Sequence, residues 1–441
     1  MTAREAALTA LERCRRDGAW SGSSIDGIIK KYALDRREAA LAARLCLGVL
    51  QNSLLCDYYI GCYCSTEPKR LEPKLHDILM LGVYQILFLD RIPARAAVNE
   101  SVALCRKCGM SRASGLANAV LRRIAENKSA GTLPAIPSEG GAEYLSIKYS
   151  HPEWLASRII SERGYDFAEA FLACNNRPAP LTIQVNTLKI SPEDYRRALL
   201  RAGIDFEYDE RLSGCFVLSG GNVAELPGFA EGLFYVQDRA ARTAAEIAAP
   251  EQGMTVLDAC SAPGGKSFAA AIAMEGEGQI LSCDIHPHKL KLIDSGAKRL
   301  GISCLRTMLA DAREHHAAWD RAADVVIADV PCSGLGIIRK KPDIRYKNPE
   351  ELAQLPIIQR EILENVCRYV RSGGVLIYST CTILPEENEQ VTEAFLQAHP
   401  EFERTAFTLP LPIGTCDGQL TLWPQRHGTD GFYICRMRRK D

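Results

Sequence analysis

The 441-residue sequence predicts a multi-domain chain: an all-α domain, a small α+β domain and an α/β domain built on a doubly wound, mostly parallel sheet. Three observations predict it. Residues 1–128 carry apolar side chains at helical spacing, as in Leu41, Leu45 and Val49 and in Val98 and Val102, with glycines at segment ends and almost no alternation. Residues 181–186 (LTIQVN), 215–218 (CFVL) and 233–236 (LFYV) read as strands around a helix at 192–203, a βαββαβ-like order. From residue 237, strand segments at 255–258, 279–283, 304–307, 324–328 and 374–378 alternate with helix-length stretches, the signature of a parallel sheet with crossover helices. A Gly-, Pro- and Ser-bearing stretch at 129–141 reads as a linker, so the expected domains are 1–130, 131–236 and 237–441.

The composition is that of a soluble globular chain, 47% hydrophobic and 24% charged. The first residues carry charge where a signal peptide needs an apolar core, and the apolar run at 78–89 is too short to span a bilayer, which places the chain in the cytoplasm without a membrane partner. Seventeen cysteines, an odd number without framework spacing, read as reduced thiols. Cys105 and Cys108, or Cys62 and Cys64, lie inside helical sequence and are assigned no metal. The overall charge of −1 hides an asymmetry: residues 1–130 hold 20 Lys/Arg against 13 Asp/Glu, and the remainder 33 against 41. A basic first third is the electrostatic footprint of a nucleic-acid partner, or a solvated helical surface.

The stretch 258–267 (DACSAPGGKS) ends like a phosphate-binding loop. A Walker loop needs a glycine five residues before its Gly-Lys-Ser, and Cys260 stands there. The dinucleotide fingerprint is absent as well. What remains is a strand, a tight loop of Cys260, Ser261, Ala262, Pro263, Gly264 and Gly265, and a helix opening with Lys266. Three carboxylates then fall just past successive strands, Asp284, Asp311 and Asp329. One after the second strand can accept both ribose hydroxyls and one after the third can reach an adenine amino group. Together they repel a polyphosphate and tolerate a sulfonium cation, so the crevice is read as a site for S-adenosyl-L-methionine.

Two cysteines follow neighbouring strands. Cys332 lies in residues 329–334 (DVPCSG) after the fourth strand and Cys381 in 379–382 (STCT) after the fifth, so both face the expected cofactor crevice. Carbon 5 of a pyrimidine is a poor nucleophile; a thiolate adding at carbon 6 makes carbon 5 enamine-like and able to take a methyl group. A free thiol, with a pKa of about 8.5, needs local positive charge such as Lys266 or a helix N-terminus to ionise. Asp329 is placed to hydrogen-bond the ring nitrogen. This reading does not choose which of the two thiols attacks.

These residues resemble the Sun/RsmB-like RNA cytosine-5 methyltransferases. The resemblance rests on 259–266 (ACSAPGGK), Asp284, 311–313 (DAR), 329–336 (DVPCSGLG), 339–345 (RKKPDIR), 378–381 (YSTC), 386–389 (EENE) and 430–433 (DGFY). It implies a Rossmann-like methyltransferase domain, Cys381 as nucleophile and Cys332 as the thiol that aids product release, with Asp329 and Lys266 beside them. Residues 91–100 (RIPARAAVNE) and 115–124 (GLANAVLRRI) resemble the NusB-type helical RNA-binding domain, which implies small-subunit (16S) ribosomal RNA as the partner. The middle domain suits a ferredoxin-like fold. Arg95, Arg122 and Arg123, with Arg106 and Lys107, are then expected phosphate contacts, and Arg339, Lys340, Lys341 and Arg345 a basic loop holding RNA at the site. The chain is expected to act as a monomer. The alternatives are another RNA such as tRNA, or an idle RNA-binding assembly factor. Ser295-Gly296 is expected to interrupt the helix after Asp284, and Ala310 departs from a glycine often found there.

Overall fold

The computed structural model describes residues 1–137, 139–210, 212–410 and 413–441. The chain forms two compact units: Met1–Arg177 with Ile338–Tyr346, and Pro178–Ile337 with Lys347–Asp441.

The first unit is helical. Its N-terminal helix, Ala3–Asp17, starts in a capping box between Thr2 and Glu5 and ends on Gly18 in the left-handed conformation. The apolar run noted in the sequence becomes the helix Pro73–Phe88, buried along most of its length, because the helices Ala3–Asp17, Arg36–Gln51, Ala94–Lys107 and Ser114–Ala130 surround it. No single helix among the described residues is long and apolar enough to cross a membrane. A Cβ at Gly48 would overlap the buried Tyr84 ring, so the approach of Arg36–Gln51 to the central helix requires glycine there. The helices Ser21–Lys31, Ser53–Tyr63, Ala142–Tyr149, Glu153–Arg163 and Tyr165–Asn175 also belong to this unit.

Residues 338–346 also belong to the first unit, and they correct an expectation. Arg345, read as a phosphate contact, is 0% exposed. One guanidinium nitrogen donates to the carbonyls of Gln51 at 2.6 Å and Ser150 at 2.9 Å and to Asn176 Oδ1 at 3.1 Å. Its charge is spent on carbonyl dipoles inside the fold, where no phosphate reaches. Tyr346 Oη is likewise bound, to the Leu50 carbonyl at 2.7 Å, and Asp343 accepts from the Ser21 hydroxyl at 2.6 Å. Lys340 and Lys341 remain exposed, and Arg339 is half-buried.

The second unit contains two sheets. The smaller comprises β1 (Leu181–Val185), β2 (Phe206–Tyr208), β3 (Cys215–Leu218) and β4 (Phe234–Val236), in the order β2-β3-β1-β4 with every pair antiparallel. This is the ferredoxin-like order; between β3 and β4 the second helix is reduced to the short turn Val223–Glu225. The sequence reading missed β2, whose three residues are too few to show alternation. Asn186, just past β1, donates to the carbonyls of Gly232 at 3.0 Å and Leu300 at 2.8 Å and so ties this sheet to the larger one.

The larger sheet contains β5 (Thr255–Asp258), β6 (Gln279–Asp284), β7 (Leu305–Leu309), β8 (Ala323–Asp329) and β9 (Val370–Thr380), all parallel. After β10 (Phe402–Arg404), a hairpin of β11 (Phe407–Leu409) and β12 (Gly414–Cys416) precedes β13 (Gln419–Leu422) and β14 (Phe432–Arg439). The order is β10-β14-β9-β8-β5-β6-β7, with β13 also on β14, and β14 runs antiparallel to its neighbours. The helix Pro287–Leu300 continues unbroken through Ser295-Gly296, contrary to expectation, because Gly296 is where it meets the Phe268 ring: a Cβ there would stand 2.6 Å from the ring.

Gly48→Ala forces a methyl group into the Tyr84 ring. Overpacking of this kind costs about 1–3 kcal/mol, expected as a lower urea midpoint with unchanged slope for the helical unit.

Candidate active site

Chain order reverses at β5, which lies between β6 and β8, so a crevice opens beyond the carboxyl ends of these strands. Every residue expected at the cofactor and catalytic positions lies at this edge of the sheet.

The loop after β5 is held largely through Ser261. Ser261 donates its amide and its hydroxyl to the Cys283 carbonyl at 2.8 and 2.9 Å, and the Gly264 amide donates to the Ser261 carbonyl at 2.7 Å. The Ala262–Pro263 peptide is cis, and Gly264 takes φ 104°, a region open to glycine. The helix Gly265–Ala273 starts there, with Lys266 in its first turn. Lys266 is buried, its Nζ lies 2.5 Å from Asp329 Oδ2 and 5.1 Å from the centre of the Phe432 ring. The other Asp329 oxygen accepts from Ser379 Oγ at 2.7 Å. Asp329 is thus aimed by two partners and remains partly open.

Asp258, at the end of β5, was quoted in the sequence but given no role. It is fully buried, accepts from Ser267 Oγ at 2.6 Å, and has a second oxygen with no partner. Burial pushes its carboxyl up to about 7. Burial, and next the Asp258 charge, holds the Cys260 thiol well above its usual range, so Cys260 is a neutral loop residue.

The remaining carboxylates take the expected positions at the strand ends. Asp284 is buried, accepts the His286 amide at 2.9 Å and lies 3.8 Å from Lys289. Asp311 is gripped by its neighbour Arg313 at both oxygens, at 3.0 and 2.6 Å, which lowers its pKa.

The two cysteines meet. Cys332 Sγ and Cys381 Sγ lie 3.2 Å apart. The hydrogen bond to Cys381, followed by burial, raises the Cys332 thiol well above its usual range, so Cys332 is neutral near pH 7. The loops carrying them are joined through Ser333 Oγ and Thr382 Oγ1 at 2.6 Å and through the Gly336 amide on the Cys381 carbonyl at 3.0 Å. Gly336 in turn lies against Gly431 so closely that a Cβ would overlap the Gly431 carbonyl. Sequence reasoning missed Ser333, Ser379, Thr382 and Asp258; serines and threonines beside motif residues carry no signal of their own.

In the helical unit, Arg95, Val98, Asn99, Asn118, Arg122 and Glu126 line a cleft of about 580 Å³ between the helices Ala94–Lys107 and Ser114–Ala130. Arg123 lies outside it, 5.5 Å from the Tyr63 ring. Arg106 lines the adjoining cleft, and Lys107 pairs with Glu5.

A pair of cysteine loops beside a glycine loop on a doubly wound sheet, preceded by a helical and a ferredoxin-like domain, defines a Rossmann-type methyltransferase. Residues 245–438 match the family described as 16S rRNA methyltransferase RsmB/F, residues 1–126 the NusB family, and residues 151–224 the ferredoxin-like domain of RsmF/B-like methyltransferases. A protein of Bacillus subtilis named probable ribosomal RNA small subunit methyltransferase B is 35% identical over 444 residues, covering 99% of this chain and 98% of its own. Its namesake in Synechocystis is 32% identical over 451 residues, with full coverage of both. The crystal structure of PH0851 superposes with a TM-score of 0.82 at 28% identity, over 99% of this chain and 98% of its own. The chain belongs to the ribosomal RNA small subunit methyltransferase B family.

Ionisation of Asp258 sets a pH dependence. Unfolded, an aspartate ionises near about 4; in the fold this one does so at about 7. Between these values the native state keeps a proton the unfolded state has lost, so stability falls as pH rises through the window and levels off above it. Relative to wild type, Asp258→Asn is expected to gain stability progressively across that window, read as the difference in thermal midpoints.

Proposed function

We propose that this chain methylates carbon 5 of a cytosine in small-subunit (16S) ribosomal RNA, with S-adenosyl-L-methionine as donor, through a covalent adduct on Cys381. The 3.2 Å approach of the two thiols at the crevice carries the reading. The relatives' names supply the substrate class.

The crevice fits the cofactor. Gly264 and Gly265 let the loop pack closely on Phe268 and Gln237, from which a Cβ would stand only 2.6 and 3.1 Å away. Asp284 would hold the ribose hydroxyls, Asp311 the adenine amino group, and the loop from Cys260 to Lys266 the remainder. When bound, the sulfonium supplies an electrophilic methyl group.

The chain's own residues do the rest. Cys381 adds to carbon 6, forming a sulfur–carbon bond and moving the ring electrons to carbon 5, which takes the methyl group. Asp329, aimed by Lys266 and Ser379, shares a proton with the ring nitrogen as negative charge develops there. Solvent water takes the carbon 5 proton, and the electrons of that carbon–hydrogen bond re-form the ring double bond and expel Cys381 as its thiolate. Cys332, held neutral, stays out of the addition and lies beside the adduct for this release. Two thiolates 3.2 Å apart would repel, so the pair divides the roles.

The helical cleft and the exposed Lys340 and Lys341, with Arg339, hold RNA phosphates in this reading. Each phosphate contact contributes about 0.7–0.9 to the slope of log affinity against log salt. The double variant Arg95→Ala/Arg122→Ala is expected to weaken binding and flatten that slope by about 1.5, measured by filter binding; an unchanged slope removes the cleft from the RNA surface.

The adduct test uses denaturing electrophoresis after incubation with the cofactor and small-subunit ribosomal RNA. Cys332→Ala is expected to show a slow-migrating adduct that Cys381→Ala lacks. The opposite pattern exchanges the roles. No adduct in either, with no 5-methylcytosine from wild type, favours an idle RNA-binding factor.

A further inference from the structure

The dipeptide Glu387-Asn388 lies in the stretch 386–389 and takes no part in the chemistry above, yet both side chains are buried at 1% exposure. Glu387 Oε2 accepts the Ser333 amide at 2.8 Å and Gln359 Nε2 at 2.9 Å, and Gln359 Nε2 also reaches the Pro331 carbonyl at 3.0 Å. The Cys332 loop is therefore held at the residues before and after the cysteine. Asn388 does the same for the other cysteine: its Oδ1 accepts from Thr380 Oγ1 at 2.5 Å and its Nδ2 donates to the Thr382 carbonyl at 3.2 Å. The Glu387 carbonyl itself accepts from Tyr378 Oη at 2.5 Å, which anchors the dipeptide to β9.

Two observations separate this from ordinary helix capping. Asn388 is the N-cap of the helix Glu389–Ala398, yet its side chain makes no capping hydrogen bond; it turns back to bracket Cys381. Glu387 keeps a carboxylate in the interior with Oε1 unpartnered, an arrangement that burial penalises and a simple structural contact would not require.

We propose that Glu387 and Asn388 are positioning residues, one for each loop, that together set the placement of the Cys332 and Cys381 sulfurs and touch no substrate. The role rests on the two-thiol reading above. A displacement of about 1 Å at reacting atoms costs up to about a hundredfold in rate, so the clamp acts on turnover rather than on binding.

The experiment reads thiol placement and methyl transfer separately in the full chain. In glutathione redox buffers, glutathione disulfide is reduced to two thiols as the Cys332–Cys381 pair is oxidised to a disulfide, and peptide mass spectrometry gives the effective concentration of the pair. In parallel, kcat and KM are measured with labelled S-adenosyl-L-methionine and small-subunit ribosomal RNA. Glu387→Ala and Asn388→Ala are expected to lower both the effective concentration and kcat by about tenfold or more, with KM for the cofactor within about twofold. Glu387→Gln, which keeps an oxygen on the Ser333 amide, is expected to restore both. Thr380→Val, which deletes one hydroxyl, is expected to move both in the same direction in a chain less perturbed than either alanine variant. An unchanged effective concentration in folded Asn388→Ala, Glu387→Ala and Thr380→Val overturns the proposal. A lowered effective concentration with unchanged kcat upholds the placement and counts against the two-thiol chemistry instead.

Discussion

The hydrogen bonding of β5 to β6 on one side and β8 on the other is the constraint on which the site depends. In that register Asp258 stands opposite Ile327, so β8 runs two residues further and delivers Asp329 beside the helix that carries Lys266. Asp329 in turn stands opposite Ser379 on β9, which brings the serine hydroxyl to its carboxylate. Cys332 and Cys381 leave adjacent strands from that same level. Their meeting at 3.2 Å is a consequence of ladder register before it is one of side-chain chemistry.

Beyond the strand ends the backbone has no ladder, and small polar side chains take over its hydrogen bonds. Ser261 closes the first loop onto Cys283, and Ser333 and Thr382 close the two cysteine loops onto each other. Burial also sorts the thiols. Cys260 and Cys332 are both raised well above the usual thiol range, the first by burial and nearby carboxylates, the second chiefly by its cysteine neighbour. The edge of the sheet thus holds at least two cysteines, Cys260 and Cys332, whose thiols stay neutral near pH 7.

The segment Ile338–Tyr346 shows how one charge run divides. Its lysines at 340 and 341 are exposed, whereas Arg345 is buried against carbonyls of the helical unit. In sequence these cations are equivalent. Only packing separates the side chain that shapes the fold from those exposed at the surface.

Helical periodicity, alternating strands and the loop signals were legible in the chain because they arise from local backbone and side-chain preferences. They determined the three-domain architecture, the glycine loop, the carboxylates at strand ends and the pair of cysteines. The short β2, the unbroken helix through Gly296 and the burial of Arg345 were not legible, since each is decided by a neighbour distant in sequence. The same holds for Ser333, Thr382 and Glu387-Asn388, ordinary residues until the fold faces them toward a cysteine loop. The sequence by itself determined which chemical groups are available at the crevice. The tertiary structure alone decided their separation, partners and protonation, because those are set by strand register and burial, which no local pattern encodes.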